Sequence, residues 1–112
     1  MLASTHGVAV FHPNPNDYWR WTHTGLQRLF EQNGDWSEIH VAPGPGTAST
    51  LALLFGRFFH MLARRAHVRP LATPVVAVLN IAGAAIDSRV EMLREPIPGY
   101  LFANFHVTAV KR

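Results

Sequence analysis

Cysteine is absent from this chain, and charged residues are scarce. The lack of cysteine among 112 residues excludes a disulfide framework and a thiolate zinc site, and it fits a reducing, cytoplasmic compartment. Charged residues make up 15% of the chain, against about 25% in an ordinary globular protein. The net charge of +3 is small, and nucleic-acid-binding domains carry a broader basic footprint. We therefore predict no nucleic-acid partner.

Signals for export and for metal binding are also missing. The first residues, MLASTHG, have neither a basic region nor a long apolar core, so no secretory signal is predicted. The seven histidines are scattered, and no pair has the H-x-x-x-H spacing of a helical zinc site. With 48% apolar residues in 112, the chain is predicted to form a single domain, 1–112, with a modest core.

Apolar patterning in the first third of the chain predicts a strand followed by a helix. The strand is predicted at Val8–Phe11, buried on both faces because its residues do not alternate. The helix is predicted at Thr24–Gln32, with Thr22 or Thr24 as its N-cap. Gly34 is expected to end it in a left-handed conformation.

The rest of the chain is predicted to form two strands separated by two apolar helices. The strands are Glu38–Val41 and Tyr100–Val110, in which apolar and polar residues alternate. The helices are Ala48–Arg65 and Thr73–Ile86, followed by a charged, exposed end that begins at Asp87. This order of elements predicts an α/β layer in which helices cover a sheet.

The loop between the first strand and the first helix is the most informative segment. It contains the run DYWRWT at positions 17–22, with two tryptophans, a tyrosine, an arginine and an aspartate within five positions. In open α/β sheets, ligands bind where the carboxyl ends of strands meet such loops. The segment therefore predicts a binding site.

Several motifs in this order carry a resemblance to a known family. They are GVAVF followed by HPNP, the run DYWRWTHTGLQRL, the turn GDW, and the last strand that opens with GYL. Together they resemble the C-terminal half of a class I S-adenosylmethionine-dependent methyltransferase of the type 11-like group. The resemblance covers nearly the whole chain. It implies a partial Rossmann-like methyltransferase sheet of about three strands, covered by helices, with a two-helix apolar insertion at about 47–95.

The resemblance implies S-adenosylmethionine as the cofactor, yet the cofactor-binding glycine loop and the first four strands of the family are absent. Close-approach glycines and a helix N-terminus normally bind such a cofactor. We therefore expect this chain to supply recognition of a small-molecule acceptor rather than cofactor binding, and to be inactive alone. The open sheet edge beside Val8–Phe11 would need a partner chain or a homo-oligomer to cover it.

By the same resemblance, seven residues are candidates for the acceptor pocket: His12, Asn14, Asp17, Tyr18, Trp19, Arg20 and Trp21. His12 would act as a catalytic base near neutral pH, and Arg20 would bind an acidic acceptor bidentately. A structural alternative stays open, in which the aromatic side chains pack the helix onto the sheet and Asp17 pairs with Arg20.

The apolar insertion allows a second hypothesis, a non-enzymatic module that binds a partner chain or a membrane surface. Each predicted helix has about sixteen apolar-patterned residues, fewer than the ~20 needed to span a bilayer. The linker between them is basic, which favours peripheral contact with an anionic membrane.

Overall fold

The computed structural model describes residues 1–9 and 19–112. These residues divide into two compact units, one formed by Met1–Gly44 with Pro96–Arg112 and the other by Pro45–Glu95. The second unit interrupts the first in sequence. Its bounds lie close to those of the apolar insertion expected at about 47–95.

The first unit is built on a three-stranded antiparallel sheet. Its strands are β1 (Leu2–His6), β2 (Trp36–Pro43) and β3 (Asn104–Lys111), in the order β1-β3-β2. Because β1 and β2 are each antiparallel to β3, they run in the same direction as one another. The α/β class is confirmed, and β2 extends the predicted Glu38–Val41 at both ends. The alternating last strand is confirmed from Asn104 onward, but its predicted start at Tyr100 is four residues too early.

The core of this unit lies where helix α1 (His23–Gln32) covers the sheet. Phe105, Val107 and Ala109 of β3 are buried, as the alternation in the last strand predicts, and Leu26 of α1 packs with the first two. The predicted helix is confirmed, and its N-cap is Thr22, whose hydroxyl accepts a hydrogen bond from the Gly25 amide at 3.1 Å.

The position predicted for the first strand is wrong within the described residues. The strand is Leu2–His6. Val8 lies in a bend, and its backbone amide donates a hydrogen bond to the Phe102 carbonyl at 2.8 Å. The apolar run at Val8–Phe11 favours a strand buried on both faces. The observed β1 lies at a sheet edge and alternates between exposed and half-buried residues, so it needs less apolar character. Val10 and Phe11 lie outside the described residues.

The expected left-handed conformation at Gly34 is also wrong, since the only glycine with a positive φ among the described residues is Gly99, at 93°. The end of α1 is instead held by Asn33. Its side-chain amide donates to the Leu29 carbonyl at 2.8 Å and its backbone amide donates to Phe30. A Cβ at Gly34 would meet the Trp36 indole, so close packing explains the glycine there.

The second unit is a hairpin of two long helices, α2 (Thr47–Arg65) and α3 (Arg69–Arg89), followed by a 3₁₀ turn. A Cβ at Gly83 would lie 2.9 Å from the Ala48 carbonyl oxygen and 3.0 Å from the Ala52 Cβ. Further along, a Cβ at Gly56 would lie 2.9 Å from Val76. The two helices are therefore antiparallel and closely packed.

Asp87 is the residue of this unit that departs most from expectation. Predicted at the start of a charged, exposed end, it is only 5% exposed. Its carboxylate oxygens accept hydrogen bonds from the amides of Ala48 at 3.0 Å and Ser49 at 2.9 Å. The N-cap residue of α2, Gly46, provides no side-chain bond, so the cap comes from the end of α3.

Helix α3 is longer than predicted, with 21 residues from Arg69 to Arg89. Pro70 lies in the first turn of α3, where proline is tolerated. By length and composition α3 could cross a membrane, so the sequence argument that it is too short for this does not hold.

Replacing Gly83 with leucine is expected to lower the free energy of unfolding of the hairpin by about 2 kcal/mol, since overpacking forces closely packed helices apart. Urea unfolding followed by far-ultraviolet circular dichroism measures the loss. The matched control is Ala82→Leu, one position earlier at an exposed site, which should leave stability nearly unchanged. Equal losses in both variants would contradict close packing at Gly83.

Candidate functional site

An open pocket of about 380 Å³ lies in the first unit, beside the carboxyl end of β1. Residues from three segments and from β3 line it: 7–8, 21–24, 96–102 and Phe105. The first segment follows β1 directly, and the second leads into α1. The pocket thus occupies the region between a strand and the following helix, where ligands bind in open α/β sheets.

Trp21 forms one wall of this pocket and joins it to the core. Its backbone amide donates to the His6 carbonyl at 3.0 Å, which holds the start of α1 against the end of β1. Its half-buried indole packs against the core cluster. Trp19 is 69% exposed, and its ring centroid lies 6.1 Å from that of Trp21 at an interplanar angle of 33°. The two indoles offer an aromatic surface beside the pocket.

His23 is the titratable side chain in the pocket lining with the most defined surroundings. Its Nε2 lies 3.0 Å from the Val41 carbonyl oxygen, and its ring meets Phe105 edge-on with centroids 6.3 Å apart. Because a carbonyl oxygen can only accept, Nε2 must carry the hydrogen, which leaves Nδ1 of the neutral ring as an acceptor. Nδ1 of His23 can therefore accept a hydrogen bond.

The opposite wall comes from the segment that precedes β3. Gly99 has a φ of 93°, a conformation that favours glycine, and the following Tyr100 amide donates to the Ile97 carbonyl at 3.2 Å. At Gly7 the backbone packs closely against this segment, because a Cβ there would collide with the Phe102 carbonyl and lie 2.9 Å from the Phe105 ring. The polar groups in the lining are few, and the walls are mainly apolar and aromatic.

Of the seven predicted site residues, the structure describes three. Trp21 lines the pocket, whereas Trp19 and Arg20 are exposed and lie outside its lining. The Arg20 guanidinium donates to the Trp19 carbonyl at 3.1 Å. The other four lie outside the described residues: His12, Asn14, Asp17 and Tyr18.

Sequence reasoning missed His23, Thr24 and Tyr100 as pocket residues. His23 and Thr24 directly follow the N-cap of α1. Ligands of open α/β sheets bind at such a position after a strand and its loop, so the sequence did indicate these two residues as pocket candidates. Tyr100 carried no local signal, because it reaches the pocket through the pairing of β3 with β1.

Two further features concern the part of the chain that the structure describes. No three residues among its histidines, aspartates and glutamates are grouped to hold a metal ion. A second depression of about 420 Å³ lies in the helical hairpin, where Arg57 and His60 of α2 and Asn80 of α3 line it.

Comparisons with protein-family models, with curated proteins and with solved structures find no match for this chain.

Proposed function

We propose that this chain is the acceptor-recognition part of a class I S-adenosylmethionine-dependent methyltransferase. The observation that carries the proposal is the pocket at the carboxyl end of β1 and the start of α1. Strands β1 and β2 run in the same direction and are joined through α1, with β3 between them. This split β-α-β unit presents the carboxyl ends of both strands at one edge, the usual place for a ligand.

The described residues do not fit the cofactor itself. The glycine-containing turn before α2 is the natural candidate for binding its polar end, but the Ala48 and Ser49 amides there already donate to Asp87. The proposal therefore assigns S-adenosylmethionine to strands that this sequence does not contain.

The described residues can bind and orient an acceptor. Trp21 and Phe105 provide flat apolar contact, and Nδ1 of His23 can accept a proton from an acceptor hydroxyl or ammonium group. Methyl transfer depends mainly on placing the nucleophile in line, so rigid walls matter more than acid–base chemistry. Arg20 beside the pocket would attract an acidic acceptor, and His12 stays a candidate base.

The outer edge of β1 is where a cofactor-binding part or a second copy would join. Within residues 1–9 and 19–112, β1 pairs with β3 alone, and Leu2 is 82% exposed. An unpaired edge of this kind recruits another strand. The edge predicted beside Val8–Phe11 is thus assigned to Leu2–His6.

Blocking the pocket mouth tests the proposal without disturbing the core. We expect Thr24→Arg to weaken acceptor binding by about tenfold or more, because a bulky side chain at this exposed lining position fills the entrance. Saturation-transfer NMR with a panel of small carboxylates, phenols and amines measures binding. Gln27→Arg is the matched control, since it adds the same group to an exposed position of α1 outside the pocket.

Two results would overturn the proposal. One is that no compound of the panel binds to the wild-type chain more tightly than it binds to the Thr24→Arg variant. The other is calorimetric titration that shows S-adenosylmethionine alone binding tighter than roughly 100 μM, about −5.5 kcal/mol. The second result would place the cofactor, rather than the acceptor, on this chain.

A further inference from the structure

The α2–α3 hairpin has small residues between its helices and large apolar residues outside. The buried seam residues are mostly small: Ala52, Gly56 and Ala63 of α2, and Ala72 and Gly83 of α3. By contrast, Phe55 is 65% exposed, Leu71 69% and Val78 65%. A soluble hairpin normally buries its large apolar side chains between the helices. These exposed side chains therefore need a further partner.

Several large apolar side chains fall on one side of the hairpin, whereas Met61 and Ile81 stand two positions before seam residues and point away from the seam. Several seam residues are directly preceded by a large apolar residue, which the helix rotates about 100° away from the seam. These preceding residues are Phe55, Leu62 and Leu71, together with Val75, which precedes the half-buried Val76 that packs against Gly56. The second helix is both reversed in direction and turned to face the first, so preceding positions on both helices project to the same side. We call this side, with Phe58 and Val78, the apolar face.

The opposite side of the hairpin is polar. Arg57 and Arg64 directly follow the seam residues Gly56 and Ala63, so they are rotated in the other sense. The depression between the helices brings polar side chains of both helices to this side, beside Leu53, Gly56 and Val76: Arg57 and His60 from α2 and Asn80 from α3. The hairpin therefore separates a polar face from an apolar face.

The exposed charged side chains of the two helices are all positive, since Asp87 of α3 is buried. Between positions 39 and 86 there is no aspartate or glutamate, although the chain has seven of them. The same stretch contains four arginines: Arg57, Arg64, Arg65 and Arg69. Three of them surround the turn between the helices. A cationic polar face opposite an aromatic, aliphatic face is typical of helices that lie in the interface of an anionic membrane.

We propose that the α2–α3 hairpin lies flat in an anionic membrane surface, with the apolar face among the acyl chains and the arginines at the lipid phosphates. A spanning orientation is disfavoured because Arg57 and His60 lie near the middle of α2. Asp87 holds the two helices together, so α3 cannot cross without α2. The inference does not rest on methyl transfer, since every residue that carries it is in the second unit.

Flotation with lipid vesicles tests the binding. We expect the full chain to bind vesicles of phosphatidylcholine mixed with phosphatidylglycerol, and to bind phosphatidylcholine alone at least tenfold more weakly, because each arginine near the surface is attracted by anionic lipid. Arg64→Gln with Arg65→Gln should reduce binding by about thirtyfold. Arg28→Gln with Lys111→Gln removes the same net charge from exposed positions of the first unit and should have little effect.

The apolar contribution has its own matched pair of variants. Phe55→Ser with Val78→Ser is expected to abolish vesicle binding while circular dichroism stays unchanged, since both side chains are exposed. Leu2→Ser with Val110→Ser removes two exposed apolar side chains from the sheet, and binding should persist.

The orientation is tested by environment-sensitive fluorophores, because the chain has no cysteine of its own. A label at Val78→Cys on the apolar face should shift to shorter wavelength when anionic vesicles are added. A label at Asn80→Cys, two residues away on the polar face, should shift little. Equal shifts at both positions would overturn the flat orientation.

Three other outcomes would overturn the proposal. One is no binding to anionic vesicles by the folded chain. Another is equally strong binding to neutral vesicles. The third is a homodimer in sedimentation velocity that Phe55→Ser with Val78→Ser dissociates, which would assign the apolar face to a second copy of the chain.

Discussion

Replacing Phe105 with alanine is expected to lower the free energy of unfolding of the first unit by about 3–5 kcal/mol, the usual cost of removing a buried aromatic side chain. Phe105 is 4% exposed, and its ring contacts Phe102 edge-on with centroids 5.9 Å apart. It also supports the His23 ring, so the variant should weaken the pocket as well.

Tryptophan fluorescence measures this loss selectively during urea unfolding, because all three tryptophans belong to the first unit. Leu2→Ala is the matched control, since Leu2 is 82% exposed on β1 of the same unit and its truncation should change stability little. A similar loss of stability in the two variants would show that Phe105 is not a core residue.

Replacing Asp87 with alanine is expected to destabilise the hairpin by about 3 kcal/mol, because it removes two charge-assisted hydrogen bonds and leaves two helix amides without partners. Asp87→Asn should cost roughly half as much, since its amide oxygen can accept while its NH₂ group cannot. Hydrogen exchange of the Ala48 and Ser49 amides reports the change locally.

Glu95→Ala provides the comparison for Asp87→Ala. It removes the same charge from an exposed position after the 3₁₀ turn and should leave amide protection in α2 unchanged. If Asp87→Ala changed protection no more than Glu95→Ala, the carboxylate would not be the cap of α2.

Local patterns were sufficient for the elements that have one covered face. Helix α1 and strand β3 follow directly from the spacing of Leu26 and from the alternation through Phe105 and Val107. Strand β1 was misplaced because its pattern is weak and an apolar run follows it. Its position is fixed by pairing with β3, about a hundred residues away in sequence, as in Ala3 with Val107.

Long-range contacts also explain what remained hidden in the site. His23 lies on α1, and its neighbours are Val41 of β2 and Phe105 of β3. No periodic spacing in the sequence predicts that these three residues meet. Asp87 looked like a solvated residue because its partners lie 38 and 39 positions earlier. Trp21 was predictable, since a large aromatic residue between a strand and a helix usually packs at their junction.

The central position of β3 imposes an order on folding. Both outer strands pair only with β3 among the described residues, so the sheet cannot form until the ribosome has released residues 104–111. The hairpin at 45–95 is complete before that, and its contacts close shorter loops. During synthesis the aromatic surface of α2 therefore emerges ahead of a finished sheet, when β1 and β2 still have unpaired edges. A lipid surface that engages the nascent hairpin would shield these apolar side chains from aggregation at the stage when the chain is most vulnerable.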